Sequence, residues 1–226
     1  MTLYIHYILL TMLASIPQVP VPAQYAVMPA ADFLVTGKGD HENWEKASWM
    51  PLPSLNHYND YETKVKILYS ETGLYVFALL QDNQIISTME EDNANLWEED
   101  VFEVFLQTSE EYPLYFEYEI SPRGCELPIL VPHLKSDYNG WLPWNYEGDR
   151  KIIKQVHQAE GYWSAEIFIP YKLLAPLQNV PPVRGTQWKA NFYRLDYDTG
   201  KGERFAWQPI EINFHQFEKF GTLIFE

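Results

Sequence analysis

The chain has 226 residues, 46% hydrophobic and 21% charged, which is enough for one domain with a substantial core and gives no signature of disorder. Its 31 Asp and Glu outnumber 16 Lys and Arg, for a formal charge of -15; such a surface repels phosphate backbones, so nucleic acid is a poor partner, while a neutral ligand is indifferent to the field. Eight Trp, 16 Tyr and 12 Phe are more than one core needs, and Tyr and Trp favour binding surfaces. Cys125 stands alone, so no intrachain disulfide forms, and the thiol is expected to be buried and inert.

In chain order, Tyr4 to Ala14 is an apolar run followed by a Pro-rich, small-residue stretch through Ala23. This pattern resembles an export signal cleaved near Gln24, although no Lys or Arg precedes Lys38 to supply the usual basic start. The expectation is a leader over residues 1–23, a domain over 24–226, and an extracellular, periplasmic or cell-surface location; an ordered strand or a linker is the alternative. The run is too short to span a membrane. Thr63 to Tyr69 alternates, with Val65, Ile67 and Tyr69 opposite Lys64 and Lys66, as a half-buried strand does. Glu71-Thr72-Gly73 then turns the chain into a more apolar strand, Leu74 to Leu80. Further strands are predicted over Val101 to Gln107 and Tyr115 to Ile120, the latter closed by the turn Ser121-Pro122-Arg123-Gly124. A long ordered loop is expected from Leu127 to Gly148, where Pro, Tyr and Trp replace alternation. Ile152 to His157 and Trp163 to Ile169 form a pair around Glu160-Gly161, stopped by Pro170, which cannot donate to a ladder. A helical stub over Tyr171 to Leu177 and strands over Trp188 to Leu195, Phe205 to Trp207 and Gly221 to Phe225 complete the reading. Many short strands with no long helical period predict an all-β fold, a jelly-roll-like β-sandwich in one domain.

Five segments carry a resemblance. They are His41 to Ala47 (HENWEKA), Trp97 to Leu106 (WEEDVFEVFL), Tyr118 to Gly124 (YEISPRG), Trp163 to Pro170 (WSAEIFIP), and the series Trp188, Asn191, Arg194, Trp207-Gln208-Pro209, His215, Phe220-Gly221. In this order and spacing the chain resembles the family 9 carbohydrate-binding modules and the family-9-like domains of Bacteroides-type bacteria. The resemblance implies a jelly-roll sandwich that binds a carbohydrate ligand without catalysis, with structural calcium in some relatives. It also implies that Trp97 walls a sugar site while Glu103, six residues on, bonds hydroxyls, and that Trp207 and Gln208 supply a second wall and an amide.

The residues themselves fit that chemistry, because aromatic faces pack on pyranose C–H groups and planar polar side chains take the hydroxyls. Glu103 shares a strand face with Val101, Phe105 and Gln107, so its carboxylate is expected either exposed on a binding face or paired. Arg123 is either a ligand donor or a turn charge. Trp141 and Trp144, in the expected loop, either extend the platform or pack on the sandwich. Trp44, Trp49 and Trp163 read as core, Arg194 as a buried ion pair, and His215 as a cap or a ligand. Asp82 and Asp100 are conceivable calcium ligands, with no ligand set assigned. A monomer is expected. Three other readings stay open. In a glycoside hydrolase reading, alternation splits Glu98, Glu99, Asp100 and Glu103 between faces, with no second carboxylate across a cleft. A haem reading has Met28, Met89, His133 and His215 available but in no signature. The last is an adhesive sandwich with no sugar site.

Overall fold

The structure, a computed structural model, describes residues 21–134, 137–138, 140–144 and 146–226. The expected leader falls largely on residues 1–20, outside the described residues. The strands in chain order are β1 (Gln24–Pro29), β2 (Met50–Pro51), β3 (Thr63–Tyr69), β4 (Gly73–Gln81), β5 (Val101–Gln107), β6 (Leu114–Ile120), β7 (Glu126–Leu134), β8 (Asp137–Tyr138), β9 (Leu142–Pro143), β10 (Ile153–Ala159), β11 (Tyr162–Pro170), β12 (Gln187–Asp196), β13 (Glu203–Ala206) and β14 (Gly221–Phe225), with one helical turn, α1 (Tyr171–Leu174). Every strand predicted from alternation is present within a few residues of its expected bounds.

Two sheets share β1. It pairs in parallel with β3 on one side and with β14 on the other, so the strand path β10-β11-β4-β3-β1-β14-β12-β5-β6-β7 curls back on itself as a half-barrel sandwich. The jelly-roll-like β-sandwich expected from the sequence is the observed fold. Between the sheets the alternation of each strand fills one core: Val65 and Ile67 of β3, Phe102, Val104 and Leu106 of β5, Phe116 and Tyr118 of β6, Trp163, Ala165 and Ile167 of β11, and Trp188 and Phe192 of β12. Sandwich faces bury apolar side chains at every second position, so the other face of each sheet is left to be covered separately.

The outer face of the β3–β4–β11 layer is covered by the segment that follows β1. Trp44, Val35 and Ala47 pack there on Leu68, Tyr75 and Phe77. A single carboxylate fastens this cover. Glu166 of β11, fully buried, accepts hydrogen bonds from the Trp44 indole Nε1 (2.6 Å), the Gly37 backbone N–H (2.6 Å) and the Thr36 backbone N–H (2.8 Å). Trp44 and Trp163 are core, as the sequence suggests. Trp49 is not: it is exposed, with Lys64 and Lys66 ammonium groups about its ring at 5.0 and 4.8 Å. The alternating lysines of β3 thus cover aromatic surface rather than facing water freely.

The expected loop from Leu127 to Gly148 is corrected. Its first part is β7, a nine-residue strand paired with β6 from Glu126 to Pro132. Pro128 and Pro132 broke the reading because proline cannot donate. Both lie at positions of the same parity, and the Pro128 carbonyl accepts from Trp144 N–H on the side away from β6. The missing donors therefore point outward, and the ladder to β6 is intact.

Replacing Glu166 by alanine strands two backbone N–H groups and an indole N–H beneath the cover. A cost of about 3 kcal/mol is expected, since a buried donor left unmet costs about 1–3 kcal/mol. Urea unfolding should show a lower midpoint with an unchanged slope; a midpoint equal to the parent's would refute the fastener role.

Candidate functional site

The outer face of the β12–β5–β6–β7 layer is only partly covered, and what remains open is a cavity of about 390 Å³. Its floor is made by side chains of the opposite parity to the core: Glu103 and Phe105 of β5, Glu117 and Glu119 of β6, Ile129 of β7 and Leu195 of β12. Antiparallel register sets Glu103 directly opposite Glu119, and Phe105 opposite Glu117, so three carboxyl groups converge on one floor. The walls are Trp97, Trp141, Phe214, His215 and Arg204.

Each wall is tied to the sheet. Trp97 sits in the 3-10 turn Leu96–Glu98, whose buried Leu96 packs on the sheet face. The Trp97 carbonyl accepts from the Tyr197 hydroxyl (2.8 Å). Asp100, just before β5, accepts from Ile86 N–H (2.5 Å) and Tyr197 N–H (2.8 Å), which pins both neighbouring loops. Trp141 directly precedes β9, which pairs with β7. Phe214 stacks on Tyr193 of β12 at 4.1 Å between centroids, and the Tyr193 hydroxyl donates to the Phe214 carbonyl (3.0 Å). Arg204 donates from Nε to Asn56 Oδ1 (3.1 Å) and from Nη1 to the Ile212 carbonyl (3.4 Å).

The floor is electrostatically unusual. Glu103, Glu117 and Glu119 are each at most 3% exposed, and all three are pushed well above the ordinary carboxylate range. Burial is the main cause for each; Glu119 adds to it at Glu103, Glu103 at Glu117, and Glu117 at Glu119. Among the described residues no Lys or Arg lies in salt-bridge range of any of them. The Glu117 Oε2 and Glu119 Oε2 atoms are buried with no hydrogen-bond partner. The nearest basic group, His215 Nδ1, is 3.6 Å from Glu117 and also meets the Tyr115 hydroxyl at 2.6 Å. Burial lowers its pKa to about 4, so it is neutral near pH 7 and does not balance the carboxyls.

The structure brings together three of the residues singled out from sequence, Trp97, Glu103 and Trp141. It does not bring the other four. Trp207 is 1% exposed and lies in the inter-sheet core, its ring against Gly221, where a Cβ would fall within 2.4 Å of the ring. Its Nε1 and the Gln208 Nε2 both donate to the Pro22 carbonyl, at 3.0 and 3.1 Å. The pair holds the chain entering β1 rather than walling a cleft. Arg123 is exposed in its turn and pairs with Glu90 at 2.7 Å, the turn-charge alternative. Trp144 is half-buried against the inter-sheet core. Glu103 lines the cavity but is only 2% exposed, and it stands opposite Glu119 and not beside a cation.

Glu117 and Glu119 were missed, although they alternate with Phe116 and Tyr118 as Glu103 does with Val104. They stand beside Glu103 on the same floor and not across a cleft from it. The arrangement is unlike that of a glycosidase, whose two carboxyls flank the scissile bond. Here all three rise from adjacent strands of one floor, so no bond lies between them. His133 stacks on Phe217 at 3.7 Å and His215 is held at Tyr115, which leaves the haem reading without support in this face.

A second acidic group lies at the far end of β12. Asp82, Asp196 and Asp198 place carboxylate oxygens within 4.8 Å of one another. The buried Arg194 pairs with Asp82 (3.2 Å) and with Asp196, the ion pair expected from its parity. Burial pushes Asp82 up to about 6 and raises Asp196. Asp198 Oδ2 accepts from the Tyr61 hydroxyl (2.6 Å), while its buried Oδ1 has no partner. One guanidinium facing three carboxylates with an open oxygen is a donor set that suits a hard cation. Asp100 is not part of it, both its oxygens being taken by backbone N–H groups.

The raised carboxyls have a consequence for stability. A folded-state pKa above the unfolded value means that the native state holds protons the unfolded chain has released. Their contribution is therefore fully present below the unfolded glutamate pKa of about 4.3 and is lost as pH rises through the folded values. The melting temperature should fall as pH rises above the unfolded glutamate pKa of about 4.3, and Glu119→Gln should flatten that fall. Parallel slopes for the two proteins would contradict it.

Comparison with known proteins bears on the same residues. Residues 35–122 match the family model described as carbohydrate family 9 binding domain-like, a span that contains Trp97 and all three floor glutamates. The chain is 26% identical over 164 residues to endo-1,4-beta-xylanase A of Thermotoga maritima, covering 71% of this chain and 14% of that enzyme; it thus spans a small part of that relative's length. Its fold is shared with a candidate carbohydrate-binding protein from Bacteroides uniformis (TM-score 0.76, 18% identity, 90% of this chain and 99% of that one). It is also shared with a family 9 carbohydrate-binding module from Caldicellulosiruptor kristjanssonii in complex with cellotriose (TM-score 0.67, 14% identity, 90% and 93%). Over residues 35–122 the chain is therefore similar to the carbohydrate family 9 binding domain-like family, and its fold is the one these solved structures share.

Proposed function

We propose that this chain binds carbohydrate without catalysis, in the cavity floored by Glu103, Glu117 and Glu119 and walled by Trp97 and Trp141. The observation that carries the reading is one cavity in which indoles stand over a polar floor. A pyranose is apolar on its faces and polar at its edge, and this cavity offers both surfaces at once. The family matched and the saccharide complex of a fold relative support the same ligand class. The single-floor placement of the carboxyls supports binding over hydrolysis.

A glycan array followed by calorimetry tests this. Trp97→Ala should weaken binding about thirtyfold, the loss of about 2 kcal/mol typical of a central aromatic anchor. Trp207→Phe should leave affinity within about twofold while lowering the melting temperature, because it alters the core and not the cavity. Equal binding by parent and Trp97→Ala would move the site elsewhere, and no binding to any glycan would favour an adhesive sandwich.

We also propose that Asp82, Asp196 and Asp198 hold structural calcium, the hard cation that their all-oxygen donors suit. Calcium would supply the positive charge that Arg194 alone leaves short, fastening the ends of β4 and β12. Calcium should raise the melting temperature and a chelator should reverse the rise. A melting temperature indifferent to both would remove the metal from the fold.

A further inference from the structure

The three floor glutamates differ from the other buried acids. Among the described residues, every other buried Asp or Glu is met by donors or a cation. Asp82 and Asp196 meet Arg194, Asp100 meets two backbone N–H groups, and Glu126 meets Lys154 Nζ (2.8 Å) and two tyrosine hydroxyls. Glu166 meets Trp44 and the Thr36–Gly37 backbone, and Glu203 meets Tyr58 N–H (2.6 Å), Asn56 N–H (3.2 Å) and the Ser54 hydroxyl. Glu103, Glu117 and Glu119 line a cavity, Glu117 and Glu119 each with one buried oxygen that no donor meets, and among the described residues the one Lys or Arg lining it, Arg204, is held at Asn56 and Ile212.

Buried carboxyls this close need protons or a positive charge brought from outside. A proton can be shared between Glu117 and Glu119, which are in hydrogen-bond contact, whereas a cation entering the cavity meets all three carboxyls at once. An ammonium group supplies three donors and a charge, and the Trp97, Trp141 and Phe214 rings line the same cavity, where aromatic rings favour a cation further. We propose that the preferred ligand is a sugar bearing a free, protonated amine, an unacetylated hexosamine unit seated with its ammonium on the glutamate floor. This rests on the carbohydrate-binding reading above and specifies its substrate class.

The test is calorimetry of the full chain with short glucosamine oligomers, their N-acetylated counterparts and cello-oligomers, at low and high salt. The amine-bearing oligomer should bind about tenfold or more tightly than either neutral one, and salt should shrink the difference, as it does for charge pairs reached by solvent. Glu119→Gln should shrink the affinity ratio between the amine-bearing oligomer and the cello-oligomer; Glu103→Gln serves the same purpose should the first variant fail to fold. Equal or weaker binding of the amine-bearing oligomer overturns the proposal while leaving carbohydrate binding intact. A simple diamine binding as tightly as the amino sugar also overturns it, since the sugar ring would then contribute nothing. Failure of all three oligomers to bind overturns this proposal, and the glycan array then decides the carbohydrate reading separately.

Discussion

A carboxylate taken out of water must be met by donors, and this fold is built around that constraint. Its chain carries acids into buried positions, and three of them, Glu166, Glu203 and Asp100, are answered by backbone N–H groups of segments distant in sequence. Glu166 draws the Thr36 to Trp44 cover onto one outer face. Glu203 draws in Ser54 to Tyr58, and the same segment presents Asn56 to Arg204. Asp100 ties the Ile86 loop to Tyr197, and Tyr197 in turn holds the Trp97 carbonyl. Charge-assisted bonds of this kind are directional and strong, so irregular segments that have no ladder of their own are still placed. The cavity is a product of these ties: two of its walls, Trp97 and Arg204, are positioned through acids that themselves lie outside it.

Glu103, Glu117 and Glu119 stand apart because, among the described residues, no Lys or Arg pairs with them and Glu117 and Glu119 each keep a buried oxygen unmet. Replacing such a cluster with apolar residues of similar size is generally neutral or stabilising, so their presence is a cost to the fold. Costs of this type are characteristic of sites that serve a ligand. The sheet makes the cluster geometrically inexpensive, since cross-strand register alone brings Glu103 and Glu119 together. A floor of this kind is rigid before any ligand arrives, which limits the ordering entropy that binding must overcome.

Much of the architecture was legible in the sequence because half-buried strands write their period into it. The parity of β5 placed Glu103 away from the core, and the parity of Arg194 placed it in an ion pair. Two kinds of information were not legible. One is pairing: Glu117 and Glu119 alternate plainly, but their convergence with Glu103 depends on which residue of β6 faces which of β5. The other is depth. Trp207 sits beside Gln208 and Pro209, a polar neighbourhood in sequence, yet its burial is decided by Gly221 on β14, whose missing side chain leaves room for the indole. Trp49 shows the reverse, an indole that reads as core but lies outside under two lysines. In β7 the prolines hid a strand because sequence does not say which edge their absent donors face.

The acidity of the whole chain takes on a different meaning at the proposed site. A net charge of -15 says little about a neutral ligand, and at a distance it is largely screened. Inside a cavity walled by low-dielectric rings, three carboxyl groups act at short range, where screening is weak and the sign of the ligand matters. On the proposed reading, sugars that carry carboxylates or sulfates meet like charge both on approach and on the floor. Selectivity in such a site comes as much from what the floor repels as from what it holds. On the same reading the aromatic walls would grip pyranoses of many kinds through their C–H faces, and discrimination among sugars would fall to the three glutamates beneath them.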